Sequence, residues 1–185
     1  MSTLNVNIIG ERTSGSGVTV DGLLIKDGAI PSITGGLEEA DIWWMTANLT
    51  TDANPITANL SRANATLNNY LGTGMSVSSG IWTFPSTGYY EVSFQTMSQH
   101  QTNSHVMNIY IYGSDDNFSS EDEISQAQHR GNSGTWNTWF ISTIVKITDV
   151  SNDKVKFRMQ RNSAGTFYGS ASGRTAFTFK KLGDI

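Results

Sequence analysis

The chain has 185 residues, a formal net charge of −4 and only 15% charged residues. This balance argues against nucleic-acid binding, because phosphate contacts need clustered Lys and Arg side chains. The absence of cysteine excludes disulfides, Cys-ligated zinc and a thiol nucleophile. No stretch approaches the roughly 18 consecutive apolar residues of a membrane-spanning helix, so no membrane insertion is expected.

Residues 1–37 differ in pattern from the rest of the chain. Short apolar runs precede the pairs Asp21-Gly22 and Asp27-Gly28, which favour tight turns because glycine adopts positive φ without steric cost. Runs this short cannot bury a core of their own. The segment is therefore predicted to be an extended anchoring arm that packs on the head or on another chain. Its candidate interface residues are Val18, Val20, Leu23, Leu24 and Ile25.

The start of the chain also bears on localisation. Residues 1–9 lack the basic region and the long apolar core of a secretory signal peptide. We therefore expect a protein made in a cytoplasm.

Residues 55–70 are the best helical candidate, because Ile56, Leu60, Ala63 and Leu67 are three or four positions apart. The segment is also rich in Asn and Thr, which are poor helix formers. We predict a loop with one or two helical turns.

Most of the remaining chain alternates between apolar and polar residues, which predicts strands with one buried face. The clearest alternating stretches are 90–95, 107–112, 139–148, 154–160 and 177–180. Residues rich in Gly, Asn, Asp and Ser connect them, as expected of turns. Many short strands joined by such turns favour an all-β sandwich or barrel, with a jelly roll among the choices. Lys156 is on the polar side of its strand, so Lys156→Ala is expected to change stability by less than ~0.5 kcal/mol.

Two motifs, taken in their order along the chain, indicate the fold more specifically than the alternation of apolar and polar residues does. Residues 84–94 read Phe-Pro-Ser-Thr-Gly-Tyr-Tyr-Glu-Val-Ser-Phe, and an aromatic strand, Ala-Phe-Thr-Phe at 176–179, closes the chain. These motifs resemble the Phe-x-x-Pro-x-x-Gly-x-Tyr-x-Phe pattern and the final strand of the C1q/tumour necrosis factor (TNF) superfamily, with a shorter Phe–Pro spacing here. The resemblance implies a C1q/TNF-like jelly-roll β-sandwich over residues 38–185. It also implies a homotrimeric, non-enzymatic binding head.

A second resemblance concerns the arm. Residues 17–28 are similar to segments that precede trimeric tips in structural proteins of tailed bacteriophages. With no signal peptide expected, this implies a virion protein, either a capsid decoration protein or the tip of a tail fibre. Its arm would bind other virion proteins, and its head would decorate the capsid or attach to a host surface glycan. A secreted or surface C1q-like module that binds carbohydrate or protein is the alternative, and a glycan-cleaving fibre enzyme is a third class.

His100 and His105 are candidate metal ligands. They are close in sequence, and a trimer could bring three copies of them together on its axis. Surface or strand-end histidines are the favoured interpretation, and His129 has no obvious partner in the sequence. No metal site is assigned.

One acidic cluster could bind calcium, because carboxylates in a loop are suitable ligands. Its spacing does not match an EF-hand loop, so a solvated loop is favoured and no cofactor is assigned. The cluster consists of Asp115, Asp116, Glu121, Asp122 and Glu123. No hydrolase, Walker or dinucleotide-binding motif occurs in the sequence. We therefore assign no catalytic residue and expect that the protein is not an enzyme.

Aromatic residues exceed what one small core needs. Trp82 and Trp139 are predicted to be core residues. Tyr110 and Tyr112 lie on the outward side of their strand and are candidate subunit-interface residues, because Tyr combines a large apolar ring with a polar hydroxyl. A carbohydrate-binding platform is a further option. The aromatic set is Trp43, Trp44, Trp82, Trp136, Trp139, Tyr110, Tyr112 and Tyr168.

Overall fold

The structure is a computed structural model. The chain consists of two units, Met1–Gly36 and Leu37–Ile185. The residues that the structure describes are 18–20, 23–25, 36–64, 66–67, 69–162, 164–170 and 173–185. In the first unit, β1 (Val18–Val20) pairs antiparallel with β2 (Leu23–Ile25). The predicted turn at Asp21-Gly22 and the predicted interface side chains of the arm lie outside what the structure describes.

The second unit consists of strands joined by turns and loops. The described residues form no helix, so they contain no helical segment that could cross a membrane. The strands are β3 (Ala40–Met45), β4 (Leu60–Arg62), β5 (Ser76–Ser78), β6 (Ile81–Thr83), β7 (Gly88–His100), β8 (His105–Ser114), β9 (Asp122–Gly131), β10 (Trp136–Ile147), β11 (Lys154–Arg161), β12 (Gly165–Tyr168) and β13 (Ala176–Gly183).

These strands form two antiparallel sheets. Sheet one has the order β10-β7-β13-β3-β4, and β12 pairs with the C-terminal end of β7. Sheet two has the order β5-β6-β11-β8-β9. The last strand, β13, lies between β7 and β3, so strands far apart in sequence are neighbours in the sheet. The predicted all-β jelly-roll sandwich is confirmed.

The core lies between the sheets, and the alternating pattern supplies it. On β7, Tyr90, Val92 and Phe94 are fully buried. The Phe94 ring packs against Phe157 of β11 and stacks on Phe177 of β13. Trp82 is at the centre, with its ring centroid 5.0 Å from those of Trp43 and Phe179. Trp139 is 5% exposed and donates a 2.6 Å hydrogen bond from Nε1 to Ser98 Oγ. Both predicted core tryptophans are therefore confirmed.

The prediction of helical turns within residues 55–70 is wrong for the described residues of that segment. Leu60 lies in β4 and pairs with Met45 of β3. Ile56 and Ala63 are buried, whereas Leu67 is 99% exposed. The spacing of these residues resembled one face of a helix, but they do not share a face. Asn and Thr are poor helix formers, and residues Leu60–Arg62 pair with β3 instead.

Candidate assembly surface

Strand β10 lies at the edge of sheet one and carries large apolar side chains on both faces. Its inward residues Trp139, Ile141 and Ile147 are buried in the core. On its outward face, Trp136, Phe140 and Ile144 are 52%, 64% and 64% exposed and alternate with polar residues. We call these three apolar residues the β10 stripe. A strand at the surface of a stable single chain normally presents polar residues to water, so three large exposed apolar side chains on one face indicate a contact surface.

Polar and aromatic side chains border the β10 stripe. Trp136 stacks on Tyr168 with ring centroids 4.8 Å apart, and the Tyr168 hydroxyl is 3.0 Å from Gln99 Oε1. At the other end of the strand, Lys146 is paired in register with Tyr89, and its ammonium is 6.0 Å from the Tyr89 ring. An apolar centre with a polar and aromatic rim is the usual composition of a protein–protein interface.

An open groove lies beside the stripe, between the edge strands β9 and β10. Ile144 belongs to both surfaces, and Ile124 and Val145 add apolar area to the groove. Charges of both signs line it, namely Asp115, Asp122, Lys146, Asp153 and Lys154. Burial lowers the pKa of Lys154, because a desolvated ammonium is disfavoured. The stripe and the groove are therefore two different, adjoining surfaces at one edge of the sandwich.

Tyr110 and Tyr112, the predicted interface residues of the head, lie in sheet two. They are 9% and 8% exposed. The Arg158 guanidinium lies 5.0 Å from the Tyr110 ring, and the Lys156 ammonium lies 5.5 Å from the Tyr112 ring. The chain's own side chains thus already cover most of both rings. A contact between these tyrosines and a neighbouring subunit stays a prediction, and the larger exposed apolar area is on β10.

Lys156 contradicts the expectation drawn from its polar position in the alternation. It is 8% exposed, pairs with Glu121, and lies 5.0 Å from the Phe118 ring. Phe118 comes from the loop between β8 and β9, so the sequence around Lys156 gave no sign of this contact.

Lys156→Ala is therefore expected to destabilise the protein more than the sequence alone predicts. The variant should lower the free energy of unfolding by about 1–2 kcal/mol, because it removes packing of the aliphatic stem and two cation–π contacts. Urea denaturation measures the change. Arg130→Ala, on an exposed side chain of β9, is the control and should stay within ~0.5 kcal/mol of the unchanged protein. Equal effects of the two variants would contradict the burial of Lys156.

The carboxylates of the acidic cluster have separate partners. Asp116 accepts hydrogen bonds from Ser120 N, Ser120 Oγ and Ser114 Oγ, which lower the pKa of its carboxyl to about 2. Glu121 pairs with Lys156, and Glu123 lies 3.4 Å from the Tyr112 hydroxyl. Among the described residues, no three His, Asp or Glu side chains are placed to hold a metal ion together. Calcium binding at 115–123 stays an untested option.

His100 is the last residue of β7, and its side chain is fully buried, so it is a strand-end histidine but not a surface one. A metal site shared by three copies on a trimer axis stays an untested alternative. The His100 Nε2 atom is 3.4 Å from Nδ1 of His129 on β9. Sequence reasoning missed this pair because the two residues are on strands of different sheets. The inward parity of both strands was the only available signal.

Comparison with known proteins identifies the fold. No protein-family profile matches the sequence, and no curated protein matches it. Solved structures do. Eiger TNF from S. frugiperda superimposes with a TM-score of 0.60 at 12% identity, covering 81% of this chain and 96% of that chain. Murine APRIL at pH 5.0 gives 0.58 at 14% identity, covering 78% and 99%. The pH 8.5 form of murine APRIL gives 0.56 at 14% identity, covering 78% and 98%.

The chain has the TNF-like jelly-roll fold. The resemblance seen in residues 84–94 and 176–179 is thus confirmed at the level of the fold. At 12–14% identity the likeness concerns architecture and does not transfer a ligand. The specific features of this TNF-like head are the β10 stripe, the adjoining groove and the buried histidine pair.

Proposed function

We propose that the chain is a non-enzymatic virion structural protein whose TNF-like head assembles as a homotrimer through the β10 stripe. The single observation that carries the proposal is the exposure of Trp136, Phe140 and Ile144 on the outward face of β10. Fully burying a large apolar side chain contributes roughly 1.5–3 kcal/mol. Three such side chains per subunit, repeated around a ring, favour assembly strongly enough to offset part of the entropy lost on association.

The placement of the stripe and the groove supports a closed ring rather than a symmetric dimer. A twofold interface uses the same patch on both subunits, whereas a ring joins one patch to a different patch on the next subunit. The stripe and the groove are different patches that share Ile144. In the proposed arrangement, the stripe of one head packs against the groove of the next. We propose three subunits in the ring, which is the number that the C1q/TNF resemblance implies.

The virion role rests on the arm. The similarity of residues 17–28 to phage structural proteins supports anchoring of the trimer to other virion proteins. In this arrangement the arm is held by the particle, and the head projects as a capsid decoration or as the tip of a tail fibre.

The oligomeric state is the first test of this proposal. Multi-angle light scattering of the purified chain at micromolar concentration should give the mass of three 20.2 kDa chains. A folded protein with the mass of one chain would rule out the homotrimer.

The anchoring role of the arm needs a separate test. Removal of residues 1–37 should leave a folded trimeric head that no longer joins the virion, because the head's own assembly surface is intact. The amount of labelled protein in purified particles measures incorporation, and the full-length chain is the control. Incorporation of the truncated chain at full occupancy would place the anchor in the head.

Glycan binding by a secreted or surface module is the second candidate function. It is favoured by Trp136, which is half-exposed and stacked on Tyr168 beside Gln99, because sugar rings pack on exposed aromatic faces. Trp136 cannot serve both functions at once, because a subunit contact through the β10 stripe would cover it. A glycan array probed with the unchanged protein and with Trp136→Ala, each also measured by light scattering, separates the two functions. Glycan binding that is lost in Trp136→Ala while both proteins have the mass of one chain would favour the module.

A further inference from the structure

The histidine pair has a chemistry that the proposed assembly does not use. His100 is at the end of β7, and His129 is on the inward side of β9. In the hydrogen bond between His100 Nε2 and His129 Nδ1, one nitrogen must donate and the other must accept. The acceptor must therefore belong to a neutral imidazole. When both rings are protonated, two N–H groups and two positive charges face each other at 3.4 Å.

The surroundings enclose the His100 ring. It lies against β9 so closely that a Cβ on Gly131 would be 2.6 Å from the His100 Cδ2 atom. Nδ1 of His100 is buried and has no hydrogen-bond partner among the described residues. The His129 ring is partly exposed and meets the edge of Trp139 on β10, with centroids 5.9 Å apart. A charged His100 ring would therefore reach water by movement of the end of β7 away from β9.

In the part of the chain that the structure describes, no negative charge acts on His100. The groups that act electrostatically on His100 are His129 of β9 and His105 of β8. Their effect adds to burial, and together they lower the pKa of His100, with burial the main cause. From β10 the neighbour is Trp139, and β12 places Gly165 opposite His100. Arg161 donates to the Gly165 carbonyl oxygen and is paired with Asp52. The turns 101–104 and 132–135 contain no charged residue.

The two strands end in turns that are tied to each other beside this pair. Ser133 N donates to Asn103 Oδ1 at 2.9 Å, and Ser104 N donates to Asn132 Oδ1 at 3.1 Å. Gly134 N donates to the His100 carbonyl oxygen at 2.8 Å. Movement of His100 away from β9 would therefore break the bonds that close this end of the sandwich.

We propose that His100 and His129 form an acid-sensitive latch, which holds turns 101–104 and 132–135 together at neutral pH and releases them when both imidazoles are protonated. The latch belongs to each head by itself, so the inference stands whether or not the head is trimeric. The direction of the pH effect follows from the linkage between proton binding and the stability of the closed end. His100 in an opened end binds a proton near the reference His pKa of about 6.5, whereas in the closed end its pKa is lowered. The closed end is fully stable above that value and loses stability as the pH falls below it.

Hydrogen exchange of the backbone amides tests the latch in the full-length protein. The informative amides are His100 N, bonded to Thr135 O, and Gly134 N, bonded to His100 O. After correction for the intrinsic pH dependence of exchange, their protection should fall by about tenfold or more between about pH 7.5 and about pH 5, on either side of the reference His pKa. The amides of Phe94 and Ile109 in the core should keep their protection.

Two matched variants identify the responsible residues. His129→Gln keeps a hydrogen-bonding side chain but cannot be charged, so its loss of protection should be at least about threefold smaller than in the unchanged protein, and burial of His100 accounts for the part that remains. His105→Gln, at the same end of the sandwich, should retain most of the loss seen in the unchanged protein. Protection that is independent of pH, or an equal loss in the unchanged protein and in His129→Gln, would overturn the proposal. If His129→Gln does not fold, an NMR titration of the unchanged protein decides. A His100 imidazole that titrates at or above about 6.5 would also overturn the proposal.

Discussion

Trp82→Ala is expected to lower the free energy of unfolding by about 3–5 kcal/mol, because it opens a cavity at the centre of the sandwich. Trp82 is 1% exposed, and its ring contacts Trp43 of β3, Phe157 of β11, and Phe177 and Phe179 of β13. These strands belong to both sheets, so their side chains cannot all move inward to fill the space that the indole leaves.

Urea denaturation at one fixed protein concentration measures this effect, since the stability of an oligomer depends on concentration. Trp44→Ala is the matched control. Trp44 is the neighbour of Trp43 on β3, but it is on the opposite side of the strand and only partly buried. Its removal should cost less than half as much as removal of Trp82. Similar losses from the two variants would mean that the core is centred elsewhere.

Gly88→Val should lower the free energy of unfolding by about 3 kcal/mol, from backbone strain and from a clash together. Gly88 begins β7 with a φ of 143°, which residues with a Cβ rarely adopt. A Cβ at this position would lie 2.6 Å from the Gly183 carbonyl oxygen of β13. The strand cannot shift to relieve the clash by slipping one residue, because Tyr90, Val92 and Phe94 would then face outward.

Gly134→Val separates the two causes. Gly134 has a φ of 82°, and a Cβ there would have no atom within 4 Å. The control should therefore show the strain alone, about 1 kcal/mol. Thermal or urea denaturation of both variants gives the comparison. The pairing of β13 with β7 shifts register between Lys181 and Gly183. If Gly88→Val lowered the free energy of unfolding no more than Gly134→Val, the close packing of Gly88 against this part of β13 would be contradicted.

The sequence predicted the strands whose two faces differ in polarity. Strands β7, β10 and β13 alternate clearly because one side of each is packed in the core, and period-two alternation records that difference. Strand β9 was missed because it is an edge strand with few apolar residues, of which Ile124 and Ala127 face inward. The short strands β4, β5 and β12 have too few residues for any period to be visible.

The candidate sites were harder to predict, because they depend on contacts between segments far apart in the sequence. The alternation over residues 139–148 places Phe140 and Ile144 on the side opposite to Trp139, but alternation does not show how much of a large apolar side chain is exposed. Lys156 was expected to be exposed, but Phe118 and Glu121 from a distant loop cover it. His100 and His129 are paired only through the packing of the two sheets, and no local pattern encodes that distance.

Phe140→Arg is the most direct test of the proposal that the β10 stripe joins the subunits. An arginine in the middle of the stripe would bring a charge into each subunit contact, while the folded head would lose no buried side chain, because Phe140 is 64% exposed. Ser78→Arg is the control, because it adds the same charge at an exposed position of β5, at the opposite edge of sheet two from β9. By sedimentation equilibrium at micromolar concentration, we predict three chains for the unchanged protein and for Ser78→Arg, and one folded chain for Phe140→Arg. A Phe140→Arg protein that remains trimeric would contradict the account.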